Sequence, residues 1–499
     1  IHGVDAIQFR MHGESGLKRG EMETFWGNVF RVMKASGEGI RFDARAKELP
    51  DSIIDKGLEM GVPLRICTKY WAEQMGMPFH PTHINVQDQH NRRHGYADLL
   101  QYPQRYKVHW RLWNGGTTRV LLWGDPDYVR RFADSTHLYD GDGYEVNEPL
   151  ATKMQDHPHD QSPLDLMPAN RRYYTYEFER YWHFFQLFGR LGYTPETPSE
   201  LWDREFVRRF GSQAGPIVER GLHVASGVLP RINACVFPYG SFPTTRGWAE
   251  KQRRGDLPQY AAALASDTEQ FLSMKEAARL RLDGKTSPKV WPEQTARWFA
   301  ARAKEVLGCA DQAARCIGDK RSKEFDSTLT DLRILGHLAE FHARRIPAGL
   351  AWCRWELTKD PAAMDEAIAR EAEAIAAWES LVTAAGDFYA KDLAFGRAGA
   401  GLSGHWSDEL AALKTGLEKL RAERAKLPPA KVVAAPAAAA VAEASGDTTP
   451  PAVSHDPVTT LAVGKPLKLT VEARDASGVA WVRVRYRGVT QYEDYKTLE

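Results

Sequence analysis

Short apolar runs alternate with amphipathic stretches over the first part of the chain. Segments of strand length lie at 7–11, 40–43, 63–70, 107–113, 118–123 and 144–147. Between them, at 21–35, 51–60 and 125–135, apolar residues recur three and four positions apart, which is the spacing of an amphipathic helix. Alternating strands and helices indicate parallel strands joined by right-handed crossovers.

This pattern predicts an α/β fold for residues 1–211, a (β/α)8-type barrel that is N-terminally incomplete because its first strands lie before Ile1. A doubly wound sheet is the alternative, but no Gly-rich phosphate turn follows a strand. Two helices complete the domain, an aromatic one over 173–191 and a second over 199–210 that ends at Gly211. In the first of these, Trp182, Phe185 and Phe188 are predicted core residues.

The rest of the chain changes character twice. Residues 212–427 predict an all-α helical domain, with helices at 259–283, 292–318, 323–345, 364–389 and 407–427. Residues 428–450 are rich in Ala and Pro and predict a linker. Residues 451–499 predict a partial Ig-like β-sandwich, with a hairpin formed by 467–472 and 479–487 around the turn 475–478.

Composition excludes some classes of partner. Lys and Arg number 66 against 65 Asp and Glu, so no excess charge favours a nucleic acid or a membrane surface. No apolar run is long enough to span a bilayer. The 5 cysteines are scattered and odd in number, which predicts mostly buried free thiols. No cofactor is expected, and the sequence does not determine the oligomeric state.

Polar residues cluster where the predicted barrel strands end. The carboxyl ends of parallel barrel strands meet at one mouth, which is where barrel enzymes place their chemistry. Two carboxylates there, one protonated and one ionised, suit glycoside cleavage. We expect Glu148 and Glu14 to be this pair, with Asp43 and Glu145 as substitutes. Glu145 and Glu148 are three apart on a strand and should face opposite ways. The predicted substrate-binding residues are Arg10, His12, Asp43, Lys69, Tyr70, His83, Trp110, Arg111, Trp113 and Asn147. Ion pairs inside a barrel are the competing interpretation for Arg10, Asp43, Arg45 and Lys69.

Histidines gather in the long polar segment 72–102. His80 and His83, and His90 and His94, have spacings compatible with a metal site, although Pro81 opposes a helix and no acidic partner accompanies the second pair. We expect no metal and a role in donating hydrogen bonds to sugar hydroxyls instead. The sequence contains no G-x-S-x-G motif, so catalysis by a serine nucleophile has little support.

Two short stretches resemble known hydrolases. Asn147-Glu148-Pro149 at a strand end resembles the Asn-Glu-Pro motif of the largest clan of barrel glycoside hydrolases, in which Glu is the acid/base and Asn holds the sugar 2-OH. Residues 184–193 (FFQLFGRLGY) and 201–211 are similar to the last barrel helix and following segment of α-glucuronidase-type hydrolases, which continue into a helical domain. In the Asn-Glu-Pro clan the motif closes the fourth strand, whereas here at least four strands precede it, so the resemblance leaves the roles of Glu148 and Glu14 interchangeable. A uronic acid substrate would engage Arg10, Lys69, Tyr70 or Arg111.

The sequence therefore predicts a secreted or periplasmic glycoside hydrolase acting on a plant or algal polysaccharide or oligosaccharide. One alternative is a barrel that binds carbohydrate without turnover. The other is a metal-dependent hydrolase that uses the histidine-rich segment.

Overall fold

A computed structural model of the chain describes two compact units, Ile1–Lys431 and Val432–Glu499. The residues described are 3–11, 16–37, 39–46, 49–70 (without the side chains of 68–70), 76–78, 105–112, 120–137, 140–147, 149, 160, 165–235, 256–265, 268, 270–394, 403–429, 451–458, 460–479, 482–486 and 496–498. Apart from 76–78, the predicted His-rich segment 72–102 lies outside these ranges, and so does the predicted linker apart from 428–429.

A five-stranded parallel sheet organises the first part of unit one. Its strands are adjacent in sequence order, without the reversal of order that a doubly wound sheet shows. They are β1 (Ala6–Phe9), β2 (Arg41–Arg45), β3 (Leu64–Tyr70), β4 (Lys107–Leu112) and β5 (Gly141–Val146). The connections supply α1 (Met22–Ala35), α2 (Asp51–Glu59) and α3 (Pro126–Ser135). The α/β prediction is confirmed at this level.

One face of the sheet is apolar and packs under helices. Phe42 contacts Phe9 of β1 and both Trp26 and Phe30 of α1, with ring centroids 4.8–5.6 Å apart. Trp110 of β4 is fully buried on the same face. Alternate positions along each strand supply this core, as the period of two in a strand requires.

Helix starts follow local chemistry where the sequence offers it. Asp125 caps α3 by accepting a hydrogen bond from the Tyr128 N–H at 3.1 Å, and Pro126 occupies the first turn, which is the order of residues that favours a helix start. Asp51 does not cap α2, because Pro50 holds the cap position and Asp51 is the first helical residue. At that position its negative charge still interacts favourably with the positive end of the helix dipole.

Helices make up the remainder of unit one. They are α4 (Glu177–Arg180), α5 (Trp182–Leu191), α6 (Glu200–Ser226), α7 (Val228–Cys235), α8 (Leu257–Ala261), α9 (Met274–Leu282), α10 (Pro292–Cys316), α11 (Lys323–Thr358), α12 (Pro361–Ala385) and α13 (Trp406–Ala425). A two-stranded ribbon, β6 (Leu393–Ala394) and β7 (Ser403–Gly404), precedes α13. The helical prediction for this region is confirmed.

Some predicted element bounds are wrong. The predicted helix 259–283 is two helices, because Phe271 makes a bridge to Val290 between α8 and α9. The helix predicted to end at 345 continues to Thr358 through Pro347, since buried residues on both sides hold it in place. Phe185 of α5 is 41% exposed, not core, whereas Phe188 is buried as predicted.

Gly211 divides α6 as the sequence indicates. Its φ of 80° and ψ of 166° are non-helical and belong to a region nearly restricted to glycine. After this break, Gly215 lies so close to Phe206 of the first half that a Cβ at Gly215 would be 2.7 Å from the Phe206 carbonyl oxygen. This contact explains why a glycine is needed there.

The predicted strand 118–123 is wrong over its described residues, 120–123. Their backbone groups bond to buried side chains instead of a neighbouring strand. The Leu122 N–H donates to Asp331 at 2.9 Å, and Arg180 and Tyr181 donate to the Val120 carbonyl at 3.1 and 2.7 Å. Asp331 of α11 also pairs with Arg180 at 2.7 Å. This buried cluster joins the β4–α3 connection to α11.

Unit two contains two antiparallel strand pairs. They are β8 (Ala452–His455) with β9 (Val471–Arg474), and β10 (Val484–Tyr486) with β11 (Lys496–Leu498). Over their described residues, the predicted partners 467–472 and 479–487 therefore pair with other strands and not with each other. The Gly478 N–H closes the predicted turn on the Asp475 carbonyl at 3.2 Å.

Candidate functional site

The second face of the sheet is polar and charged. Parallel pairing aligns Gln8 with Asp43, Asp43 with Arg65, and Arg65 with Lys107. Two residues further along β4, His109 aligns with Cys67. Two residues beyond that, Arg111 aligns with Glu145. Paired residues in a sheet point to the same side. We call these residues, together with Asp142 of β5, the polar face: Gln8, Asp43, Arg65, Cys67, Lys107, His109, Arg111, Asp142 and Glu145.

The polar face is concave. The Gln8 Nε2 of β1 donates to the Glu145 Oε2 of β5 at 3.4 Å. In a flat sheet these strands, four spacings apart, would be separated by about 19 Å. The contact therefore requires the sheet to curl around its polar side, as strands do when they approach a barrel.

An ion-pair network occupies the middle of this face. Asp43, 3% exposed, receives Arg65 through both carboxylate oxygens and Arg41 at 3.1 Å. Arg65 also pairs with Asp142 at 3.2 Å. Asp43 was predicted to bind substrate, but it lies mid-strand between two guanidinium groups. This geometry agrees with the competing interpretation of an internal ion pair.

A bulge places Asp142 in this network. Between Val108–Gly141 and Trp110–Tyr144, β5 has one residue more than β4, and Gly143 adopts a φ of 143°. Asp142 and Glu145 therefore both reach the polar face although they are three apart. The bulge is why Asp142 was missed from the sequence, and its flanking glycines were the available signal.

Two further groups of the polar face are uncharged. Burial raises the pKa of the Cys67 thiol to about 12, with Asp43 adding to the effect, so it is no thiolate nucleophile. Burial, followed by the Arg65 charge, lowers the pKa of His109. Neutral His109 lies 3.7 Å from Asp142.

Strand ends converge around Arg111. Its Nε lies 2.7 Å from the Glu145 Oε1 and donates to the Asn147 Oδ1 at 3.3 Å. The backbone of Asn147, just beyond β5, donates to the Leu112 carbonyl at 3.1 Å. We call Gln8, Arg111, Glu145 and Asn147 the strand-end cluster. It unites Arg111 and Asn147, two predicted site residues, with Glu145, a predicted substitute carboxylate.

Trp110 is buried, contrary to its predicted role in substrate binding. It was predicted to contact substrate together with Arg111, but it is 0% exposed on the apolar face. Consecutive residues of a strand face opposite sides, so only Arg111 points toward the polar face. Trp110 is therefore a core residue.

The remaining predicted residues are placed only in part. Arg10 follows β1 and is exposed, and the backbone of Lys69 pairs with that of Arg111, next to Tyr70 at the end of β3. The structure's described ranges do not include Glu14, Glu148, His12, His83 and Trp113. Among the described residues, no three His, Cys, Asp or Glu side chains are grouped to hold a metal.

Six members of this face were missed from the sequence: Asp142 at the bulge, and Gln8, Arg65, Cys67, Lys107 and His109. A polar residue at every second position of a parallel strand was the available signal, because strands covered on both faces by apolar layers are usually apolar throughout.

Comparison with known proteins finds a similar fold. No protein-family model matches the chain, and no curated protein matches it. A solved structure described as a GH138 enzyme targeting pectin rhamnogalacturonan II superposes with a TM-score of 0.68 at 12% sequence identity, over 84% of this chain and 62% of that one. This chain thus spans less than two thirds of that protein. Within the described residues, no helix has the length and apolarity needed to cross a membrane. The superposition shows that the chain has a fold similar to that of this GH138 enzyme.

Proposed function

We propose that the chain is a glycoside hydrolase that cleaves a polysaccharide or oligosaccharide by two-carboxylate acid/base catalysis. The observation that carries the proposal is the concave polar face, on which residues from β1, β4 and β5 meet at the strand ends. The fold similarity to an enzyme targeting a pectic polysaccharide supports it. A (β/α)8-type barrel and a secreted or periplasmic location belong to the same proposal.

Glu14 and Glu148 remain the proposed catalytic pair. Glu14 follows β1 and Glu148 follows β5, and these two strands are linked on the polar face by the Gln8–Glu145 contact. One carboxyl would protonate the leaving oxygen, and the other would attack the anomeric carbon or activate water. A separation of about 5 Å would give retention, and one of about 6.5–9.5 Å inversion.

The finer proposal is a substrate containing a uronic acid, as in α-glucuronidase-type hydrolases. Arg10, Lys69 and Tyr70 are the candidates to bind its carboxylate, together with Arg111. Arg111 already balances Glu145 and orients Asn147, so its contribution would include holding that amide toward a sugar hydroxyl.

Hydrolysis of a panel of acidic and neutral glycosides tests the proposal. Glu148→Gln and Glu14→Gln should each lower kcat by at least a factor of about 10³ with the fold intact, since one half of the acid/base pair is lost. Asp55→Asn, which alters an exposed carboxylate of α2, is the matched control and should retain activity.

Three outcomes would contradict the proposal. Turnover unaffected by either substitution would refute the proposed pair. Activity that disappears with a chelator would favour the histidine-rich segment. Saturable sugar binding by a wild-type protein that cleaves nothing would favour a non-catalytic carbohydrate-binding barrel.

A further inference from the structure

Two large apolar side chains lie exposed together in the segment before α5. Tyr176 is 62% and Phe178 58% exposed in the part of the chain that the structure describes. Their ring centroids are 5.6 Å apart and their planes lie within 6° of each other. Single exposed apolar residues are ordinary, but two neighbouring stacked rings form a continuous exposed apolar surface that suits a ligand. We call Tyr176 and Phe178 the ring pair.

The backbone beneath the ring pair is fixed. The Glu179 carboxylate accepts hydrogen bonds from the N–H groups of Thr175 and Tyr176 at 2.7 and 3.0 Å. These backbone hydrogen bonds lower the pKa of Glu179, so it is ionised. The next residues, Arg180 and Tyr181, are buried and bonded to the Val120 carbonyl. A ligand that stacks on the rings therefore has little backbone entropy to remove.

The same bonds locate the ring pair relative to the proposed active site. Val120 belongs to the connection that leaves the carboxyl end of β4 and leads to α3. Arg111 and Asn147 of the strand-end cluster lie at the carboxyl ends of β4 and β5. The ring pair is thus joined to the connection that follows β4, and the strand-end cluster includes Arg111 of the same strand.

The exposed area suits a sugar better than a protein partner. With about 60% of each side chain exposed, the ring pair offers roughly 200–300 Å² of apolar surface. A stable protein–protein interface needs about 800 Å² from each partner. The face of an aromatic ring is electron-rich and attracts the weakly positive C–H groups on the face of a pyranose.

Local charge narrows the kind of sugar. Glu177 and Glu179 belong to the same short helix as Phe178 and follow directly on Tyr176. The nearby Arg172 is paired with Asp165 at 2.7 Å. The ionised Glu179 carboxylate, held at the Tyr176 N–H, would repel a uronate on the rings, whereas it can accept a hydrogen bond from a hydroxyl group of a neutral sugar.

We propose that Tyr176 and Phe178 form a second carbohydrate-binding site, which stacks on neutral sugar residues of the polymer that the proposed active site cleaves. The inference rests on the proposed function for the identity of the polymer. It also makes a separate claim about binding, which can be measured without turnover.

Electrophoresis through gels that contain a neutral galactan or a polygalacturonate tests this site. The intact chain should be retarded more by the galactan. Tyr176→Ala/Phe178→Ala should weaken that retardation by about tenfold, while Phe178→Tyr, which keeps the ring, should preserve it. Tyr193→Ala is the matched control, because it removes a ring that is 91% exposed at the other end of α5.

Three results would overturn the second site: no retardation of the intact chain by galactan, unchanged retardation of the double variant, or an equal loss in Tyr193→Ala.

Hydrolysis of short soluble glycosides by the same preparations separates this site from the proposed function. If the double variant loses galactan binding but still cleaves short substrates, the site stands. If no preparation cleaves anything but binding still depends on the rings, the second site stands and the proposed function fails. If binding and short-substrate cleavage are lost together with the fold intact, the rings belong to the active site and the proposal of a second site fails.

Discussion

Arg180 is a fully buried guanidinium whose partners come from three parts of the chain. It donates to Asp331 and to the Tyr389 hydroxyl at 2.7 Å each, and to the Ser327 hydroxyl at 2.8 Å. Both members of the Arg180–Asp331 pair are at most 1% exposed. Removing one partner of such a pair costs far more than its net contribution, because the other charge stays buried.

We therefore expect Arg180→Met to lower the free energy of unfolding by roughly 3–5 kcal/mol. Urea denaturation followed by circular dichroism gives this value. Arg131→Met is the control, since Arg131 forms an exposed pair with Asp127 at 3.0 Å and should cost at most about 0.5 kcal/mol. Equal losses of unfolding free energy in the two variants would mean that the buried ion pair contributes no more to stability than the exposed one.

Arg111 is the residue through which the strand-end cluster can be tested. Arg111→Met removes the ion pair with Glu145 and the hydrogen bond to Asn147. A lost charged hydrogen bond is worth about 1.5–3 kcal/mol, which predicts a fall in kcat/KM of about 10- to 100-fold on a glycoside substrate.

The matched control for Arg111→Met lies on the same strand and face. Lys107→Met removes an exposed cation, paired with Asp140, at the opposite end of β4. It should leave kcat/KM within about twofold of wild type, since exposed pairs contribute little. A comparable loss from both substitutions would indicate a general effect of charge on this face and would contradict the orienting role of Arg111.

At the scale of the element, the break in α6 creates an unusual acid. Asp203 and Glu219 are far enough apart in sequence to be separated by about 24 Å in a straight helix. The break at Gly211 brings the two halves together. Burial, and then a hydrogen bond with Asp203, raise the pKa of Glu219 to about 8.

This shift predicts a pH dependence of stability. Folded Glu219 keeps its proton up to about pH 8, whereas the unfolded chain releases it near about pH 4.5, so stability should fall as pH rises between these values. Burial lowers the pKa of His223 to about 4, so its effect is confined to pH below about 6.5. Burial also raises the pKa of Asp331 and of Glu371, so between about pH 7 and 8.5 the contribution of Glu219 is the difference between wild type and a variant without this carboxyl group.

Unfolding midpoints across that window give the test. Wild type should lose stability with rising pH, and Glu219→Gln should show a flatter profile because its amide does not titrate. Glu205→Gln serves as control: bonding to Arg208 lowers the pKa of Glu205, so its effect belongs to acid pH. A slope in Glu219→Gln that is as steep as in wild type would disprove the assignment.

Elements with strong local signals could be predicted from the sequence, and tertiary contacts decided the others. The Asp125–Pro126 start of α3 and the break at Gly211 depend on the capping and φ preferences of the residues themselves, which are visible in the local sequence. The β5 bulge and the continuation of α11 through Pro347 depend on packing partners elsewhere in the chain. For the site, Arg111 and Asn147 were predictable as strand-end residues, while Trp110 was misplaced because the side on which a strand residue points depends on register.

At the scale of the whole molecule, the two compact units should unfold separately. None of the described residues of Val432–Glu499 is buried, whereas buried residues in the other unit extend to Leu420. A chain ending at Lys431 should therefore keep the unfolding midpoint of the larger unit within about 2 °C of that in the full chain.

Differential scanning calorimetry measures this comparison. A chain ending at Thr358 is the contrasting variant, because it loses α12 and α13 with the buried Trp378 and Trp406. It should show no cooperative transition. A large drop in midpoint on removal of 432–499 alone would show that the units depend on each other.

The Arg180–Asp331 pair also has a consequence for synthesis on the ribosome. Arg180 precedes Asp331 by 151 residues. At about 5–20 residues per second, translation leaves the arginine without its carboxylate for roughly 8–30 s. During that time the Leu122 N–H lacks the Asp331 carboxylate that accepts its hydrogen bond, and the apolar side chains around it are uncovered in the nascent chain. We expect a chaperone that recognises exposed apolar segments to bind chains stalled before residue 323 and to release those that have emerged beyond Tyr389.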